Sequence, residues 1–338
     1  MSTSQRKSDH IKIVLEKNVK SGLTSGFEKY QFVHNALPEM DLNQVDLTTT
    51  FLNHAVKVPL LISSMTGGNE ETGQINRTLA VVAQQVGMAM GVGSQRAGLE
   101  EPRSMESFKV RQFAPDILLF ANVGAVQLNY GYSISDCQRA VDAIQADALF
   151  LHLNPLQEAL QPEGNVDFSG LLKKIETVCK GLDVPVLVKE VGWGISAEVA
   201  RRLASAGVSA IDVAGAGGTS WSQVEKFRIK DEMRRKVAED FVEWGISTAD
   251  CLVAVRQALP DMHLIVSGGI VSGIDAAKGI ALGASIAGMA GCFLKAAMLS
   301  EARLMALVEE ITFQMRVCMF SAGAKDIGSL KKVRLTNQ

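Results

Sequence analysis

From Val58 onward, short apolar runs alternate with amphipathic segments, and the runs number eight: VPLLISSMTGG, MAMGVGSQRAG, ILLFANVGA, ALFLHLNP, PVLVKEVGWG, AIDVAGAGGTSW, HLIVSGGI and IAGMAG. Strands this continuously apolar, separated by helical patterns, are the mark of a parallel sheet covered by crossover helices. Eight such units close a barrel. A doubly wound open sheet would alternate in the same way, but its G-x-G-x-x-G turn belongs after the first strand, where SSMTGGNEETG stands instead. The expected fold is therefore α/β, a (β/α)8 TIM barrel over residues 58–324.

Two segments break the period. Residues 1–57 form an N-terminal extension carrying a possible strand pair, YQFVHNAL and NQVDLTTTFL. The charge-rich SQVEKFRIKDEMRRKVAEDFVEWG is an insertion after strand six, expected to form a helical cap or lid. KAAMLSEARLMALVEEITFQMRVCMF reads as one long helix, and residues 325–338 as a C-terminal tail.

Composition narrows the setting. A net charge of −2 gives no global attraction to nucleic acid or to an anionic membrane, so any anion site must be built locally. The least polar segment, GIALGASIAGMAGCFL, is shorter than the roughly 20 residues a membrane span needs. The start lacks the apolar core of a signal peptide, and the five cysteines show no metal spacing. A reduced, cytoplasmic protein without membrane insertion is expected.

In such barrels the chemistry gathers at the carboxyl ends of the strands. Those ends carry Ser64, Met65, Thr66; Ser94, Gln95, Arg96; Asn122; His152, Asn154, Gln157, Glu158; Lys189; Thr219; Gly268, Gly269; and Ala290, Gly291. Glycines after strands seven and eight let backbone N–H groups approach a phosphate, which the dipole of the following helix also attracts. Lys189 would face the barrel mouth, either against the N1–C2=O edge of a flavin or as a Schiff-base lysine. Ser94 and Asn122 offer neutral donors at the same rim. Glu158 is a carboxylate suited to Mg2+, which usually takes one or two protein carboxylates and fills its octahedron with water and phosphate oxygens. In RKSDH, Arg6 and Lys7 share a helix face with His10. Folded back over Arg96, that face could clamp a diphosphate by charge-assisted hydrogen bonds of about 1.5–3 kcal/mol each.

The segments RKSDH, SSMTGG, VGSQ, FANVGA, HLNPLQE, PEGN, VKEVGWG, GAGGTSW, WGISTA, SGGI and GMAG, in this order from Arg6 to about Ala324, closely resemble the type 2 isopentenyl-diphosphate isomerases. The resemblance implies an FMN enzyme needing Mg2+, its flavin reduced by NADPH without net redox turnover, and a homo-oligomer, often a tetramer or octamer. It also implies roles. Arg6, Lys7, Ser94, Gln95, Arg96 and Gln157 would bind substrate and Glu158 would hold Mg2+, while position alone adds His10 and Asn154 as candidates for the substrate pocket. Ser64, Met65, Thr66, Ser94, Asn122, Lys189, Thr219, Gly268, Gly269, Ala290 and Gly291 would contact FMN, with His152, Gln157 and Lys189 closest to the chemistry. The alternative on the same barrel is an FMN-dependent 2-hydroxy-acid oxidase or dehydrogenase.

Overall fold

Burial on both faces selects the barrel strands, and every one of them is apolar where it meets the helices. In the computed structural model, which describes residues 3–337 and the side chains from residue 9, eight parallel strands form a closed barrel. They are β1 (Leu60–Ile62), β2 (Ala89–Gly91), β3 (Leu119–Gly124), β4 (Ala148–His152), β5 (Val186–Lys189), β6 (Ala210–Asp212), β7 (His263–Val266) and β8 (Ile286–Met289). Strand β8 returns to β1, with Ala287 opposite Leu60 and Met289 opposite Ile62. The expected (β/α)8 architecture is observed.

Period two sorts the barrel interior into tiers. Leu61, Ala89, Phe120, Phe150, Leu187, Ala210, Ile265 and Ile286, one from each strand, pack into a single inner cluster. Each fully buried Leu, Ile or Phe adds about 1.5–3 kcal/mol to the fold. Two residues further along the same strands stand Ser63, Gly91, Asn122, His152, Lys189, Asp212, Ser267 and Gly288. The interior thus changes from apolar to polar or side-chain-free within one step of the pleat.

The lower end is closed by the hairpin Thr49–Phe51/His54–Val56, whose Phe51 ring packs edge-on to Phe120 at 6.3 Å and to His263 at 5.5 Å. YQFVHNAL and NQVDLTTTFL therefore do not pair with each other. Tyr30–Phe32 instead pairs antiparallel with Leu335–Asn337, so the C-terminal tail closes against the extension. The long helix expected near the C-terminus is likewise two, Gly291–Leu299 and Glu301–Ser321. Between them Ser300 is extended, and its hydroxyl accepts the N–H of Arg303 as an N-cap.

At the opposite, carboxyl end the insertion forms helices Trp221–Lys226 and Glu232–Asp240. The extension contributes the helix Thr3–Glu16, then a strand-like crossing in which Ser220 N–H donates to Val19 O and Ser21 N–H to Gly218 O. Among the described residues no helix is long and apolar enough to cross a membrane.

Candidate active site

The carboxyl end of the barrel encloses a cavity of about 820 Å³, lined by residues from the strand ends, the extension and the insertion. A cavity of this size suits a cofactor together with a small substrate. Its described lining carries Lys17, Lys20, Arg96, Lys189 and Lys295 against the single carboxylate of Glu158, so it is built for polyanions.

The floor is the polar tier. The hydroxyls of Ser63 and Ser64 are buried and have no hydrogen-bond partner among the described residues. A Cβ on Gly288 would lie 2.6 Å from Ser63 Oγ, and one on Gly91 2.6 Å from Ser64 Oγ, so these glycines keep the floor low. Asn122 Oδ1 lies 2.8 Å from His152 Nδ1, and Asn122 Nδ2 donates to Val92 O at 3.1 Å, which fixes both side chains. Thr66 is held from behind, its hydroxyl donating to Asn76 Oδ1 at 2.6 Å.

Lys189 is 7% exposed and its ammonium donates to Glu190 O. Burial lowers its pKa, while the carboxylates of Asp212 and Glu190 oppose that shift. Burial also pushes Glu190 up to about 7, opposed by the three backbone N–H groups of Trp193, Gly192 and Val191 that its Oε2 accepts.

One wall suits phosphate. Gly268 and Gly269 have φ of 105° and 73°, and a Cβ on Gly268 would lie 2.1 Å from Gly215 O. Only glycine allows that approach. Beside them Gly291 opens a nine-residue helix whose N-cap, Ala290, has no side-chain cap, so its first N–H groups and positive dipole end stand at the cavity. Thr219 lines the same side, bridged to Lys20 of the extension.

The roof is a side-chain network. Gln157 Nε2 donates to Glu225 Oε1 at 3.0 Å, and Asn154 Nδ2 to Gln157 Oε1 at 3.3 Å, which sets the direction of the Gln157 amide. His10 Nε2 also lies 3.0 Å from Glu225 Oε1, with its ring edge-on to Trp221 at 5.1 Å. Arg228 joins Glu225 Oε2 at 2.5 Å to Glu163 Oε1 at 2.7 Å. Burial raises the Glu225 pKa, but His10, Arg228 and Gln157 outweigh it and hold the carboxyl at about 2.

Glu158, 6% exposed, accepts two N–H groups on Oε2, from Gln161 Nε2 and Asn165 N at 2.6 Å each, and one on Oε1, from Asn154 Nδ2 at 2.8 Å. That leaves one lone pair on Oε1. The neighbouring Asn154 Oδ1 is buried with no partner among the described residues. No group of three or more His, Cys, Asp or Glu able to hold a metal occurs among them. This donor set fits a cation that keeps water and takes phosphate oxygens from its substrate.

Most of the residues singled out in sequence meet in this cavity, Ser94, Met65 and Ala290 included. Gln95 does not. It is fully buried in the wall, where its amide donates to Ala140 O and accepts the N–H of Asn122, so it braces β3 instead of facing the cavity. Arg96 reaches the rim, but Nε is paired with Glu100 and Nη1 with Asn165 Oδ1. Arg6 and Lys7 fall in the helix Thr3–Glu16, and their side chains lie outside the described residues. Sequence reasoning overlooked Ser63, Asp212, Ser267 and Gly288, which a count of two from the apolar tier would have found. It also overlooked Glu225, hidden in a run of surface-like charge.

The family model of FMN-dependent dehydrogenases matches residues 154–337. A Nostoc sp. protein named isopentenyl-diphosphate delta-isomerase is 52% identical over 330 residues, covering 97% of this chain and 94% of its own length. The chain belongs to the isopentenyl-diphosphate delta-isomerases. A Rickettsia bellii protein of the same name is 52% identical over 331 residues, covering 98% of this chain and 97% of its own. This is therefore an isomerase of the FMN-dependent type, and the buried, partnerless serines and the glycine-lined wall fit FMN. A mandelate oxidase structure shares the fold, with a TM-score of 0.69 at 18% identity, covering 99% of this chain and 97% of that one.

Proposed function

We propose that this isomerase interconverts isopentenyl and dimethylallyl diphosphate by a 1,3-proton shift, using reduced FMN as acid/base partner and Mg2+ to bind the diphosphate. The observation that carries the reading is one cavity whose floor is kept low by glycines and whose lining carries five cations, Lys189 at the floor among them, against the single carboxylate of Glu158.

Protonating an unactivated alkene makes a tertiary cation, which demands a strong acid held away from water. Gln157 is an amide and a poor acid, and the Nδ1 of His152 is taken up by Asn122 Oδ1. Reduced FMN supplies, when bound, a proton-donating nitrogen and an electron-rich face.

The chain's own residues do the rest. Ser63, Ser64 and Asn122 would hold the ring edge, Lys189 the side where negative charge gathers, and Gly268, Gly269 and Gly291 the phosphate. Glu158 would hold Mg2+ against the substrate diphosphate. Arg6, Lys7, His10 and Arg96 would neutralise what remains of its charge. Gln157, fixed by Asn154 and Glu225, keeps one N–H and one lone pair for the substrate. The Thr3–Glu16 and insertion helices exclude water from above. NADPH as reductant and a cytoplasmic homo-oligomer, tetramer or octamer, complete the reading. A 2-hydroxy-acid oxidase is disfavoured because the chain after β6 reads AGAGGTSW, with no His and Arg pair to take a substrate proton and carboxylate.

Isopentenyl diphosphate given anaerobically to the yellow protein with Mg2+ and NADPH should yield dimethylallyl diphosphate. Absence of that product, or bleaching of the flavin by lactate, would overturn the proposal.

A further inference from the structure

Strand β6 ends in a carboxylate that none of the roles above uses. Asp212 is 0% exposed, and its Cα is the register partner of Lys189 on β5, with His152 on the far side of Lys189. Its Oδ1 accepts from Ser267 Oγ at 2.7 Å and from Ala214 N at 3.2 Å. Its Oδ2 is buried with no hydrogen-bond partner among the described residues. Burial raises the Asp212 pKa, and against it Lys189, the Ser267 hydroxyl and the Ala214 N–H favour the ionised carboxylate, while the bond from Lys189 Nζ to Glu190 O stabilises the ammonium.

We infer that Asp212 is a positioning residue that keeps Lys189 protonated at the cavity floor, and through that charge sets the reduction potential of the bound flavin. The physical need is plain. A buried amine tends to lose its proton, and a neutral amine cannot stabilise the charge that gathers on the flavin on reduction. Burial lowers the Lys189 pKa, and the Asp212 carboxylate, its neighbour on the adjoining strand, opposes that shift together with Glu190. The other titratable groups around the pair are engaged elsewhere. The Glu190 carboxylate is turned to the N–H groups of Val191, Gly192 and Trp193, and the Nδ1 of His152 faces Asn122. The thiol of Cys251, pushed up to about 12 chiefly by burial, donates to Ile195 O. Ser267, just past β7, is neutral and orients the carboxylate.

The inference rests on the FMN reading only for its second half, so two readouts are needed. The first requires no flavin. In protein stripped of FMN, the rate at which acetic anhydride labels Lys189, followed by mass spectrometry from pH 6 to 10, reports how much of the amine is unprotonated. Asp212→Asn should move that profile to lower pH and raise labelling at pH 7.5 by tenfold or more, with Asp212→Glu restoring much of the original profile. The second is the two-electron potential of bound FMN against pH. Asp212→Asn should show a break where Lys189 loses its proton, and above it should fall to the potential of Lys189→Gln. A labelling profile unchanged in Asp212→Asn overturns the inference, whether or not FMN binds. A shifted profile with a potential that follows the unaltered protein across the range overturns the claim on the flavin. Failure of the unaltered protein to bind FMN would instead count against the cofactor reading and leave the labelling test decisive.

Discussion

The floor and the roof of the cavity are made by different means. The floor residues stand on the barrel strands or just past their ends, at a height set by the pleat and the register, so that Gly124, His152, Lys189 and Asp212 follow one another across β3 to β6. The roof has no such frame. It brings together His10, Gln157, Glu163, Glu225 and Arg228 from three distant stretches of chain, and the hydrogen bonds and ion pairs at Glu225 tie those stretches together. A floor fixed by backbone suits a rigid, planar cofactor that stays. A roof fixed by side chains can loosen and reform, as exchange of a charged substrate requires.

The largest effect expected from separating the two regions is at Glu158. Glu158→Gln keeps the size of the side chain but removes the charge that would hold Mg2+. Turnover of isopentenyl diphosphate at fixed Mg2+ should fall by about 100-fold or more, metal ligation being a matter of charge and donor type. The FMN dissociation constant should stay within about twofold. Loss of flavin with retained turnover after reconstitution would show that the division between floor and roof is wrong.

A smaller effect is expected at Glu225, and it has a pH signature. Its carboxyl is held at about 2 against an ordinary 4.5, because His10, Arg228 and Gln157 outweigh the effect of burial. A lowered folded pKa contributes stability that is fully present above 4.5 and is lost as pH falls through about 2. Glu225→Gln should therefore cost about 1–3 kcal/mol at pH 7, the range for a buried hydrogen-bonded group deprived of its charged partner. The gap to the unaltered protein should close between pH 4.5 and 2. Denaturant melts across that range measure it, and a gap independent of pH would mean that Glu225 acts through packing alone.

The same contrast explains how far the site could be read in sequence. Barrel strands announce themselves by continuous apolar runs, so the residues at their ends, from Ser64 to Gly291, fall into place once eight runs are counted. Ser63, Asp212 and Gly288 follow from the same period, but only after the inner tier is known, and the runs alone do not say which alternate residues face inward. Gln95 illustrates the reverse. It sits in a motif beside Ser94 and Arg96, yet the turn after β2 directs its amide to Ala140 O and away from the cavity. Glu225 was beyond reach for another reason. Its partner His10 is 215 residues away, and within SQVEKFRIKDE a carboxylate buried by tertiary packing looks no different from a solvated one. Ser300 gave a local cue, a Ser followed by Glu and Arg, but the apolar period runs on either side of it and conceals the break.

The smallest predicted effect is the one that most sharply distinguishes a floor built for a cofactor from a floor that merely tolerates one. Ser63 Oγ is buried without a hydrogen-bond partner among the described residues, and such a group costs a fold about 1–3 kcal/mol. Ser63→Ala removes the hydroxyl and almost no volume. If the hydroxyl is there for the flavin, the substitution should raise the stability of flavin-free protein by up to about 1 kcal/mol and weaken FMN binding by about fivefold. The two changes have opposite signs. Calorimetric melts of the stripped protein and fluorescence titration with FMN read them separately. A Ser63→Ala protein destabilised when stripped, with unchanged FMN affinity, would place the hydroxyl in the barrel's own packing instead. An ordinary core position could give either change alone, but a gain in stability coupled to a loss of affinity is the behaviour of a side chain whose partner comes from outside the chain.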